Sequence, residues 1–211
     1  MLFLEPTLNN AGVEIWGTEK DCANFSSSFW ELILPDTEEI AFWDTLIGLL
    51  KDFRLAAKGS SLQLETNDIC GNKHVLFGTK ETWPEYLFFL KALRYLMSIS
   101  PTNREHHSNI FRLEHETQML VSKIAPAFSA KLNIWLDAGI PFDQHFNTDY
   151  LSFITQRFID LDNTDLRMLH LNKILAELSQ YSSGYKEFVA HAENNPTEET
   201  DYPYWSGNFN W

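Results

Sequence analysis

Imidazole next to carboxylate is the pairing in this chain with the chemistry for acid–base catalysis, because histidine exchanges its proton near neutral pH. The chain has seven histidines. His106 and His107 are adjacent and follow Glu105, and His115 lies further along the same predicted helix between Glu114 and Glu116. At about 100° per residue, His106 falls on the apolar stripe with Ile110. His107 falls on the side of Glu114, and His115 points roughly opposite, beside Met119. The spacing therefore sends these groups to different faces. A hydrolase site built on His106, His107 and Glu114 requires carboxylates from elsewhere and one pocket that gathers them all. His170 and His191 are isolated in the sequence.

The string His115-Glu116-Thr117-Gln118-Met119 has the outline of a zinc-protease helix, in which two histidines one turn apart flank a glutamate. Met119 occupies the place of the second ligand, so no metal is expected. Nucleophile signatures are equally lacking. Ser26-Ser27-Ser28 has no glycine frame, and neither Cys22 nor Cys70 has a histidine nearby in sequence. With no glycine-rich phosphate loop either, no cofactor is expected. Arg54 and Lys58 form a different kind of candidate. They lie one turn apart at the end of an amphipathic helix, where cations complement the negative helix terminus. They would also make a small cationic site on an otherwise acidic surface.

The elements that must position these residues follow from local patterning. Leu2–Glu5 and Val13–Trp16, separated by Asn9-Asn10 and Gly12, predict a hairpin. Thr18 or Asp21 caps a helix that runs to about Leu34, where Pro35 stops it. Asp36-Thr37-Glu38-Glu39 begins the next helix, which Gly59 ends. Ser61–Thr66 and Lys73–Thr79 predict a second hairpin, with Leu62 and Leu64 on one side. From Trp83 onward the chain reads helical. The segment from Glu85 to Ser98 is apolar nearly all round, as in a central buried helix. A long helix starts near Asn103, and Pro126 kinks or restarts it. Helices follow over about 149–159, 164–181 and 185–191. The expected fold is α+β: a small N-terminal antiparallel sheet of about four strands packed with a mainly α-helical C-terminal half. Residues 1–192 are expected to form a single domain, because the helix after Trp83 needs the sheet to cover it. Residues 193–211 form an acidic aromatic tail.

Composition bounds the function. Of 211 residues, 44% are hydrophobic and 14% aromatic, enough for a bulky core. Asp and Glu outnumber Lys and Arg 29 to 16, giving a net charge of −13. Binding to a nucleic-acid backbone requires clustered cations, so it is not expected. An acidic surface suits a basic partner, keeps a protein soluble, or, with carboxylates in rows, mimics DNA. Met1–Asn10 does not read as a signal peptide, and the most apolar window, Tyr86–Ile99, is interrupted by Lys91 and Arg94. These features predict no membrane association and a cytoplasmic location. After Lys186 there is no Lys or Arg. The tail carries five aromatics in its last ten residues, Tyr202, Tyr204, Trp205, Phe209 and Trp211. Solvating tails are poor in aromatics. These rings either fold back on the body or enter a partner, with Tyr204, Trp205 and Trp211 as the anchors.

Three stretches carry a family likeness: Asn10-Ala11-Gly12-Val13-Glu14-Ile15-Trp16-Gly17, then Arg54-Leu55-Ala56-Ala57-Lys58-Gly59, then Trp83-Pro84-Glu85. Together they resemble an uncharacterised family of bacterial intracellular proteins, over about the first hundred residues. The likeness implies a bacterial, cytosolic α+β protein and brings no activity. The leading expectation is a non-enzymatic interaction protein of immunity, antitoxin or defence-accessory type that binds a protein partner. The hydrolase and the DNA mimic are its competitors.

Overall fold

Two antiparallel strand pairs joined edge to edge build the sheet. Strand β1 (Phe3–Pro6) turns back into β2 (Gly12–Gly17) through a loop with Asn10 at φ 50°. Thr7 closes that loop, since its hydroxyl accepts the Gly12 amide at 3.0 Å. Strand β3 (Leu62–Asn67) pairs with β4 (Lys73–Thr82), and β4 also pairs with β2, so the antiparallel order is β1-β2-β4-β3. In a computed structural model of the protein, the described residues are 2–33, 43–67, 71–137, 148–161, 163–178 and 182–194.

Register decides which side chains face the helices. Val13 lies opposite Glu81 and Ile15 opposite Thr79, and all four are buried. Alternation puts Leu62 and Leu64 on the other face, where Leu64 is exposed and Lys80 pairs with Glu14 at 2.9 Å. At Gly12 the strands approach so closely that a Cβ would lie 1.9 Å from the Glu81 carbonyl oxygen, so only glycine fits.

Helix α1 (Glu19–Trp30) starts at Thr18, which exchanges hydrogen bonds with Asp21 in a capping box. It ends at Trp30, short of the predicted Leu34. Helix α2 (Trp43–Ala57) ends at Gly59, in the left-handed region at φ 71°. The predicted stop at Pro35 and start at Asp36 lie outside the described residues. Helix α3 (Trp83–Ile99) is capped by Thr82, has Pro84 in its first turn, and is buried nearly all round from Trp83 to Leu93. It packs against β2, β4 and four helices, α2 and three that follow it: α4 (Arg104–Ile124), α6 (Thr148–Ile159) and α7 (Thr164–Glu177). Pro126 restarts the chain as α5 (Pro126–Asp137), as its missing amide requires. The last helix among the described residues is α8 (Ser183–Asn194). One apolar cluster runs from Leu2 to Phe188 through both halves. Among the described residues, no helix is long and apolar enough to cross a membrane.

Candidate functional site

The residues of the predicted acid–base site do not meet. His106 is buried and has a structural task at the start of α4. Its Nδ1 accepts the Asn103 amide at 3.0 Å, and its Nε2 faces the Ser28 carbonyl at 2.9 Å. An imidazole with Nε2–H and a bare Nδ1 satisfies both partners, which ties α4 to α1. His107 is exposed and, among the described residues, meets the Thr102 hydroxyl at 3.1 Å and the Phe111 ring. Glu114 is held by Arg94, whose Nε and Nη2 both donate to it, the latter at 3.0 Å. The same guanidinium donates to Asp137 at 2.5 Å. Arg94 thus joins α3, α4 and the end of α5, and these carboxylates hold its ionisation further up. His115 is exposed, and His170 is half-buried with Nδ1 at 3.0 Å from the Leu166 carbonyl.

The candidate nucleophiles are likewise occupied. Cys22 is buried, points at the Phe77 carbonyl, and burial pushes its thiol up to about 11. Such a thiol is inert at neutral pH. Ser26 donates to the Leu50 carbonyl at 2.9 Å and Ser28 to the Phe25 carbonyl at 3.0 Å. Cys70, Tyr204, Trp205 and Trp211 lie outside the described residues.

Arg54 and Lys58 do line a cleft, of about 590 Å³, between α1 and the last turns of α2. Its walls also carry Glu19, Ser27, Trp30 and Glu31. A second, more apolar groove of about 400 Å³ lies where the α4–α5 break meets α7, with Pro126, Phe128, Met168 and Leu169 along it and Lys131 and Asp165 among its polar residues. Leu169 is 72% exposed.

Two features went unread in the sequence. The first is a carboxyl cluster in which Asp52 of α2, Glu81 at the end of β4 and Glu85 in the first turn of α3 feel one another's charge. Burial pushes Glu81 well above the usual carboxylate range, and Glu85 and Asp52 add to the rise; its close partner is the Thr79 hydroxyl at 3.0 Å. Glu85 is raised by burial against the opposing effect of its bonds to Thr82, and burial raises Asp52 as well. The available signal was alternation: a strand continued to Thr82 puts Glu81 on the face of Thr79. The second is Lys91, buried in α3 with its ammonium 3.9 Å from the centre of the Trp135 ring. Burial, helped by Arg94, lowers its ionisation to about 8. Among the described residues, no three His, Cys, Asp or Glu side chains are placed to hold a metal ion.

Fold and site define an α+β protein whose polar side chains mostly hold elements together. The chain belongs to a family described as a domain of unknown function, DUF6904, whose model matches residues 2–204. That match agrees with the expected uncharacterised family and extends far beyond the N-terminal hundred residues that carry the likeness. No curated protein and no solved structure matches the chain.

Proposed function

We propose that the protein is a non-enzymatic interaction protein that binds a basic protein partner. The observation that carries this reading is the groove between the α4–α5 break and α7. There Leu169, mostly in solvent, lies with exposed Pro126 and Ala127 over a floor formed by the buried Phe128 and Met168. Contiguous exposed apolar surface with charged groups beside it is the usual character of a protein-binding site. A net charge of −13 selects for a cationic partner and speeds its arrival. The groove suits an apolar helix face flanked by Lys or Arg. The finer expectation, a bacterial cytosolic protein of immunity, antitoxin or defence-accessory type, fits an acidic protein that neutralises a basic one. Tyr204, Trp205 and Trp211 are proposed as additional anchors.

The test is capture of a partner from the native host by the full chain, by Leu169→Asp and by a chain lacking residues 202–211. Wild type is expected to retain a basic protein in stoichiometric amount. Leu169→Asp is expected to lose it with an unchanged melting temperature, since the side chain is exposed. The truncated chain is expected to bind more weakly at an unchanged melting temperature. Equal capture by wild type and Leu169→Asp sinks the groove as the binding surface.

A further inference from the structure

The cleft at Arg54 and Lys58 has no part in that reading. At about 590 Å³ it falls within the range of small-molecule sites, roughly 300–1,000 Å³. Its charges do not neutralise one another. Arg54, Lys58, Glu19 and Glu31 are all exposed, and among the described residues none of their side chains has an ionic or hydrogen-bond partner. Four cations elsewhere are matched, Lys80 with Glu14, Arg94 with Glu114 and Asp137, Arg112 with Glu116, and Arg157 with Glu177, whereas the cleft brings unmatched charges of both signs together. Unmatched charges of both signs in one cleft suit a ligand that brings both counter-charges.

The layout of the cleft says where each end of that ligand goes. Cys22 near the start of α1 reaches the Phe77 carbonyl, and a Cβ on Gly59 just past α2 would meet the Phe77 ring at 3.5 Å. The end of α2 therefore lies beside the start of α1. Arg54 and Lys58 occupy the Glu19 end of the cleft, and Trp30 and Glu31 occupy the other. Eleven helical residues separate Glu19 from Trp30, about 16 Å at 1.5 Å each. A free amino acid is too short to reach both ends, whereas an extended tripeptide or tetrapeptide, about 10–14 Å at about 3.4 Å per residue, bridges them once the long Arg54 and Lys58 side chains reach toward its carboxylate. A guanidinium forks a carboxylate, and an ammonium group is held by an indole face backed by a carboxylate. Glu19 beside the cations, on a molecule of net charge −13, works against polyanions.

We propose that this cleft binds a short zwitterionic peptide, its terminal carboxylate on Arg54 and Lys58 and its terminal ammonium on Glu31 against Trp30. Alanine side chains suffice, because Ala23 and Ala57 are the apolar groups along the middle. Calorimetric titration of the full chain with tri- and tetra-alanine, their C-terminal amides, their N-acetyl forms and inorganic phosphate tests it. The free peptides are expected to bind saturably, and each blocked form at least ~tenfold more weakly, as for one lost charge-assisted contact. Arg54→Gln with Lys58→Gln is expected to weaken the free peptide by the same factor while leaving the amide unchanged, because both changes remove the same contact. Both positions are exposed, so melting temperature and partner capture stay at wild-type values. No saturable binding of either peptide up to about 10 mM, amides that bind as well as free acids, or phosphate that binds as tightly as peptide each overturns the proposal.

Discussion

Glu81 is a carboxyl whose proton the fold holds more tightly than the unfolded chain does. It is 7% exposed, faces Val13 across the sheet, and has two further carboxyls nearby. Its ionisation rises from about 4.5 in the unfolded chain to a much higher value in the folded one. Between these values the folded state binds more protons than the unfolded state, so stability falls as pH rises, by at most ~1.4 kcal/mol per pH unit for one group. Stability from Glu81 is thus complete below the unfolded value and is lost as pH rises toward the folded one. Glu81→Gln retains an acceptor for the Thr79 hydroxyl and removes the charge. It is expected to raise stability at pH 8 by on the order of 1–2 kcal/mol and to have little effect at pH 4.5. Denaturant titrations at the two pH values check this, and an equal effect at both excludes a protonated Glu81. His106 illustrates the same lesson about reading residues. Its place on the apolar stripe was visible in the helical period. Its contact with Ser28 was not, because 78 residues intervene. His106→Ala removes two hydrogen bonds, one of them its half of the Asn103 capping box, and is expected to cost about 2 kcal/mol by thermal melting.

The boundaries of the elements were readable wherever a local signal sets them. Thr18, Asn103, Pro126 and Gly59 each cap, restart or end a helix by backbone chemistry that needs no distant partner. Elsewhere tertiary structure decided. Strand β4 runs to Thr82 because β2 pairs with it as far as Gly12, and that extension buries Glu81. Helix α8 begins at Ser183 rather than near Tyr185, since the Ser182 hydroxyl accepts the Tyr185 amide at 3.0 Å. The Arg94 junction was equally hidden, its partners lying 20 and 43 residues away. It is nonetheless the main ionic link between α3 and the α4–α5 pair. Arg94→Met keeps the stem and leaves Glu114, with 12% of its side chain exposed, without a counter-charge. The expected loss is about 1–3 kcal/mol, discounted because Arg94 itself is 31% exposed. Glu114→Gln is expected to cost less, and the double variant less than the sum of the two. Strict additivity in urea titrations means the junction contributes no coupling.

For the whole molecule, two electrostatic contributions favour mild acid, and they can be separated. One is local, the carboxyl cluster at Asp52, Glu81 and Glu85, which is buried or half-buried and poorly screened. The other is diffuse, the mutual repulsion of 29 acidic residues against 16 basic ones. Repulsion between exposed charges acts over about 10 Å at 0.1 M salt and weakens as salt is added. The melting temperature is therefore expected to be higher at pH 5.5 than at pH 8 in low salt. Adding salt at pH 8 is expected to recover only part of the difference. Glu81→Gln is expected to recover much of the remainder, and salt together with the substitution to bring the two pH values close. The same screening is expected to weaken capture of a basic partner, mainly through slower association, while apolar contact at Leu169 persists. Differential scanning calorimetry at the two pH values, with low and high salt, on wild type and Glu81→Gln decides the matter. If salt alone abolishes the pH dependence, the surface charge accounts for all of it, and the buried cluster is ionised without cost in the folded state.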